Sequence, residues 1–108
     1  MNMNGYQAAA KQTAIYPPDK GLHYLVPALA AEAGEVASKW AKIIRDQGGA
    51  YDQADADAMA AEIGDVLWMC AMIADELGWD LGSVAAANLV KLADRQQRGK
   101  LSGSGDNR

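Results

Sequence analysis

Two short segments of this chain carry the same pair of carboxylates. One reads Glu32-Ala33-Gly34-Glu35-Val36 and the other Glu62-Ile63-Gly64-Asp65-Val66. Acids at i and i+3 are neighbours on a helix. The apolar axis of the first helix passes through Leu22, Leu29, Val36 and Trp40. That of the second passes through Met59, Val66, Cys70 and Leu77. At 100° per residue, Glu32 and Glu62 fall about 60° from these axes, and Glu35 and Asp65 about 120°. Each helix thus bears one acid at the edge of its apolar stripe and one just outside it, and antiparallel packing would let the four converge. Converging carboxylates repel one another unless protons or cations intervene. Hard oxygen donors suit Mg²⁺, with Mn²⁺ or Ca²⁺ as other oxygen-seeking ions. A di-iron bundle pairs its acids with Glu-x-x-His motifs. Here the only histidine, His23, precedes both pairs, which favours Mg²⁺ over iron.

Gly34 and Gly64 sit between the acids. Glycine inside a helix costs roughly 1 kcal/mol relative to alanine. In so alanine-rich a chain, that cost points to a close approach of another backbone or of a ligand. A single Glu-x-x-Glu is ordinary solvated helix surface. The duplication, with matching offsets and matching glycines, sets these pairs apart.

The elements that must hold these acids are helices. Half of the 108 residues are apolar, phenylalanine is absent and there are only three prolines. That composition favours helix over strand, and no period-two pattern occurs. The punctuation predicts a helix over about 4–14, stopped by Pro17-Pro18, and a second, opened by Asp19, running to about Asp46 before Gly48-Gly49. Pro27 inside that span predicts a kink or a separate first turn. Asp55 or a nearby aspartate opens a third helix, which Gly78 closes, and Asp80 caps a fourth that ends near Gly99. One helical domain over 1–101 is expected, followed by a flexible glycine- and serine-rich tail, 102–108, able to close as a lid.

The formal charge of −4 argues against a general nucleic-acid binder. Cys70 is the single cysteine, which fits a reducing cytoplasm. No leader pattern or membrane-length apolar run occurs, so a cytoplasmic protein without membrane contact is expected.

At the acid pairs the sequence resembles the MazG-like all-α nucleoside triphosphate pyrophosphohydrolases, whose pattern is Glu-Glu-x-x-Glu, a spacer, then Glu-Glu-x-x-Asp. Glu32, Glu35, Glu62 and Asp65 match it. The likeness runs from Tyr6 to Arg108, through Gly64-Asp65-Val66-Leu67-Trp68, Asn88-Leu89-Val90-Lys91-Leu92 and Gly103-Ser104-Gly105-Asp106-Asn107-Arg108. The first acid of each doublet is replaced, by Ala31 and Ala61. The resemblance implies a four-helix-bundle-type fold and Mg²⁺-dependent hydrolysis of a (deoxy)nucleoside triphosphate to monophosphate and pyrophosphate, with a lean to purine deoxynucleotides such as dGTP. It implies metal ligation by Glu32, Glu35, Glu62 and Asp65, with Glu35 as the base. Asn88, Lys91, Arg95 and Arg98 become substrate contacts. On the wheel of the fourth helix Asn88 lies beside Leu81 and Leu92, and Arg95 near the apolar edge. Both are therefore expected at a buried edge and in need of partners. Without the resemblance, the four residues fit equally a basic last turn that favours the helix dipole. Lys39 is either a phosphate ligand or a surface partner of Glu35, and Lys42 stands in the same position.

Trp68, Met72 and Met69 lie off the apolar axis of the third helix and predict an exposed patch. The expectation is a homo-oligomer, a tetramer in preference to a dimer, and the resemblance implies the same. The competing readings are a non-catalytic helical interaction protein and a ferritin-like metal bundle.

Overall fold

The computed structural model describes residues 1–108 and is all-helical, as expected. Helix α1 spans Met3–Lys11, a single 3₁₀ turn Pro18–Lys20, α2 Gly21–Gln47, α3 Gln53–Glu76 and α4 Leu81–Gln97. No strand is present, and no helix is long and apolar enough to cross a membrane.

Local chemistry explains most of the boundaries. Asn2 caps α1 by accepting from the Gly5 N–H at 2.8 Å, so that helix starts slightly earlier than the sequence pattern predicts. The Thr13 hydroxyl donates to the Ala10 carbonyl at 2.7 Å, just past the end of α1. Helix α2 runs through Pro27 without interruption. The missing N–H leaves only the His23 carbonyl without its helical partner, on an exposed residue where water can serve. Gly48 ends α2 with φ 60°, a left-handed conformation that costs glycine little. Asp52, not Asp55, caps α3. The two form a reciprocal capping box, with Asp55 N–H donating to Asp52 Oδ1 at 2.9 Å and Asp52 N–H to Asp55 Oδ2 at 3.1 Å.

The start of α4 is held differently from the sequence expectation. Asp80 occupies the N-cap position, but its side chain makes no capping bond. The caps come from α1: Gln7 Oε1 accepts from Leu81 N–H at 2.9 Å and Asn4 Oδ1 from Gly82 N–H at 2.8 Å. The Gln7 amide nitrogen donates to the carbonyls of Ala71 and Trp79, both at 3.1 Å. One buried side chain therefore joins α1, α3, the α3–α4 turn and α4.

Helices α2 and α3 pack along each other as a hairpin. Helix α1 lies against α3, α4 meets α1 and α3, and α2 and α4 do not meet. The main core cluster is Ala10, Leu25, Met69, Ala71, Met72 and Leu81, with Tyr6, Tyr16 and Trp68 packed against it. An ion pair of 2.8 Å between Lys11 and Asp75 also ties α1 to α3.

This packing corrects three expectations. Met69 and Met72 are buried, and Trp68 is half-buried with its indole N–H on Thr13 Oγ1 at 2.9 Å. The face expected to be an exposed patch is the one that α1 and its following loop cover. Conversely, Cys70 and Leu77 on the expected core axis of α3 are exposed. Trp40 is also not core: it is 40% exposed and meets the Tyr51 ring edge-on at 5.8 Å.

Beyond its first turns α4 is largely bare, with Leu89 and Val90 exposed. Near its end Arg95 is only 5% exposed, because the tail winds back over it. Arg95 donates to the Asp106 carbonyl at 2.6 Å, and Arg98 to the Arg108 carbonyl at 2.7 Å.

Replacing Gln7 by Ala should leave the Leu81 N–H and two carbonyls without their partner. Leaving buried polar groups unpaired costs about 1–3 kcal/mol each, so a loss of about 3 kcal/mol or more is expected for the three. It should appear as a lower urea midpoint at unchanged slope. A change under about 0.5 kcal/mol, typical of a plain surface substitution, would remove Gln7 from the role described.

Candidate metal centre

The hairpin brings one acid of α2 to both acids of α3. Carboxylate oxygens of Glu32, Glu62 and Asp65 all lie within 4.8 Å of one another. Glu32 and Glu62 are half-buried and Asp65 is exposed. Leu25 and Ile43, buried toward the two ends of α2, and Met69 and Met72 on α3 fix the helices that carry the acids. The site is therefore held by packing, because its own charges oppose it.

One cation offsets that charge. Lys39, seven residues after Glu32, places Nζ 3.5 Å from Glu62 Oε1. The imbalance is felt at Glu32, whose pKa is raised from 4.5 by partial desolvation first, then by the negative charges of Asp65, Glu62 and Glu35. Glu35 is exposed and stands outside the close group of three, yet near enough to act on Glu32.

Gly34 and Gly64 flank the cluster, and a Cβ built on either would meet nothing within 4 Å. The close backbone approach expected at these positions does not occur within the chain. Each glycine is two residues from Glu32 or Glu62, about 200° around its helix, so the space it leaves opens to solvent and not onto the close group of acids.

The residues of α4 stand elsewhere. Asn88 and Lys91 are exposed, and Lys91 forms no ion pair. Asn88 was expected at a buried edge; the bare outer half of α4 leaves it in solvent. Arg95 is buried as expected, but beneath the tail. Arg98 pairs with Asp94 at 2.8 Å and with the tail.

Matching by family model assigns residues 20–99 to the MazG nucleotide pyrophosphohydrolase domain. This chain belongs to the MazG family. The matched span begins in the 3₁₀ turn, contains both acid pairs and closes just past α4, so the resemblance carried by those acids holds. Among relatives, Gene 37 protein of Mycobacterium phage L5 is 45% identical over 114 residues, covering the whole of both chains. No solved structure matches this MazG chain.

One feature near the acids is assembled only in the fold. Tyr16 and Tyr24 stack at 5.7 Å between ring centroids, and Trp68 meets Tyr16 edge-on at 6.3 Å. With Thr13, Ile15 and Pro17 they line a cleft of about 290 Å³. Trp68 follows Asp65 by three residues and Tyr24 precedes Glu32 by eight, so both lie on the helices that carry the acids. That spacing was available in the sequence; the ring from the α1–α2 connection was not.

A carboxyl whose folded pKa is raised holds a proton that the unfolded chain releases, so stability falls as pH rises through that interval. The metal-free protein should lose stability as pH rises from about 4.5 through the raised pKa of Glu32. Glu32→Gln should flatten that dependence. Denaturation midpoints in chelator across the interval measure it, and identical profiles for the two proteins would contradict the crowding of charge.

Proposed function

We propose that this protein hydrolyses (deoxy)nucleoside triphosphates to the monophosphate and pyrophosphate with the help of Mg²⁺. The observation that carries the reading is the cluster of three carboxylates with a single lysine as counter-charge. Those residues fit the ion: all donors are hard oxygens, from both helices, within 4.8 Å of one another. Glu32, Glu62 and Asp65 would hold it, with Glu35 joining as a fourth ligand. Bound Mg²⁺, or Mn²⁺ in its place, neutralises triphosphate charge and acidifies water.

The protein's own groups do the rest. Glu35, exposed and outside the close cluster, takes the proton of the attacking water. The water oxygen bonds to the α-phosphorus, the bond to the α–β bridging oxygen breaks, and pyrophosphate leaves with the electron pair. Lys39 offers its ammonium to the phosphates. The aromatic cleft offers apolar ring surface to the base, a contact that any nucleobase can use.

Asn88, Lys91, Arg95 and Arg98 enter this reading through a homo-oligomer, tetramer before dimer. Only 11 of 108 residues are buried in one chain. The radius of gyration is 16.8 Å, against about 13 Å for a compact chain of this length. The bare apolar residues of α4, with Trp40 and Ile63 on the hairpin, are what a second copy would cover. In the assembly α4 of one subunit serves the acids of another, and the tail acts as a lid over the phosphates.

Incubation with a panel of NTPs and dNTPs should release monophosphate and pyrophosphate only when divalent metal is present. Glu62→Gln should reduce turnover roughly a hundredfold or more while leaving the helical fold intact. Diphosphate with free phosphate as products, or full activity in chelator, would contradict the reading. Light scattering after size exclusion should give a multiple of the 11.4 kDa chain mass. A single-chain mass at micromolar concentration would refute the assembly.

A further inference from the structure

Three kinds of chemistry lie in a fixed order along the α2–α3 hairpin. At one end is the aromatic cleft of Tyr16, Tyr24 and Trp68. In the middle are Glu32, Glu62 and Asp65. At the other end Lys39 and Lys42 line a cleft of about 170 Å³ with Ile43, Gln47, Asp55 and Ala58. On α2, Tyr24 precedes Glu32 by eight residues, roughly 12 Å of helix. Lys39 and Lys42 follow it by seven and ten, roughly 10 and 15 Å. Tyr24, Glu32, Glu35, Lys39 and Lys42 also fall within about 80° of one another around the α2 axis. They form one seam, with the lysines a continuation of the line from the rings through the acids.

The basic end is set to receive an anion. Lys39 already adjoins the acids through Glu62. Lys42 is exposed and makes no ion pair of its own. The acid that shares its cleft, Asp55, is otherwise engaged: its Oδ2 accepts from Gln47 Nε2 at 2.9 Å and from the Asp52 N–H at 3.1 Å. Asp46 on the same turn is bound by Arg45 through both oxygens, at 2.7 and 2.8 Å. No cation lines the aromatic cleft.

We infer that the substrate lies on α2 in one direction, its base toward Tyr16, Tyr24 and Trp68, its α-phosphate at the carboxylates and its β- and γ-phosphates toward Lys39 and Lys42, with Lys42 selecting triphosphates over monophosphates. This rests on the nucleotide reading above and adds the polarity to it. Reversed, the phosphates would meet rings, Ile15 and Pro17 with no positive charge. The polarity also accounts for the bond cut: the acids meet the α-phosphorus, and the leaving pyrophosphate already lies among the lysines.

The test is calorimetric binding, with Mg²⁺, of the four α,β-imido deoxynucleoside triphosphates and the matching monophosphates. Lys42→Gln should weaken the best triphosphate about tenfold or more, the loss of one charge-assisted hydrogen bond, and leave its monophosphate within about twofold. Lys42→Arg should restore most of the difference. Tyr24→Ala should weaken both ligands by a similar factor. Equal loss of both ligands in Lys42→Gln, or loss of neither, overturns the polarity while the nucleotide reading stands. A wild-type protein that binds none of the eight ligands overturns both.

Discussion

The mutual repulsion of Glu32, Glu62 and Asp65 is the constraint around which this molecule is arranged. Left to themselves, three carboxylates within 4.8 Å would move apart. They cannot, because the hairpin that carries them is anchored away from the charges by buried Leu25, Ile43, Met69 and Met72. Apolar burial, at roughly 1.5–3 kcal/mol for each large side chain, opposes a Coulomb cost that water partly screens. Lys39 removes part of that cost; the charge that remains adds to the partial desolvation that raises the Glu32 pKa. A divalent cation would remove most of it, and pre-organised donors need little rearrangement to receive one.

The same requirement gives meaning to α1, all of which precedes the span matched to the MazG domain. It supplies Ala10 and Tyr6 to the core beneath α3. Through Gln7 and Asn4 it closes the open N-terminus of α4, and the loop that follows it brings Thr13 and Tyr16 to Trp68. One short helix thus stiffens the back of the acid-bearing hairpin, aims α4 away from α2 and completes the aromatic cleft. The matched span and the helix before it pack as one unit.

Reading the sequence went furthest where the physics is local. The acid pairs, the helix ends at Gly48, Gly78 and Gly99, and the all-helical class all follow from spacing, capping and glycine conformation. Faces were harder. Helix α3 is covered by α2 on one side and α1 on another, so a single apolar axis through Met59 and Leu77 misassigned Trp68 and Met72. No window of sequence says where α1 will lie. The cap of α4 failed for the same reason: Asp80 is the obvious local acceptor, but Gln7, 74 residues away, takes the bond. At Arg95 the burial was legible from the helix, and the carbonyl that meets it, from a tail folded back eleven residues on, was not.

Direct titration of Mn²⁺ into the metal-free protein tests the central claim, that packing holds these carboxylates ready for a cation. Calorimetry on the wild type should show saturable binding. The variant combining Glu32→Gln, Glu62→Gln and Asp65→Asn should show none, although its helical content and resistance to urea are at least those of the wild type. Equal binding by both proteins, or none by the wild type, would contradict the account.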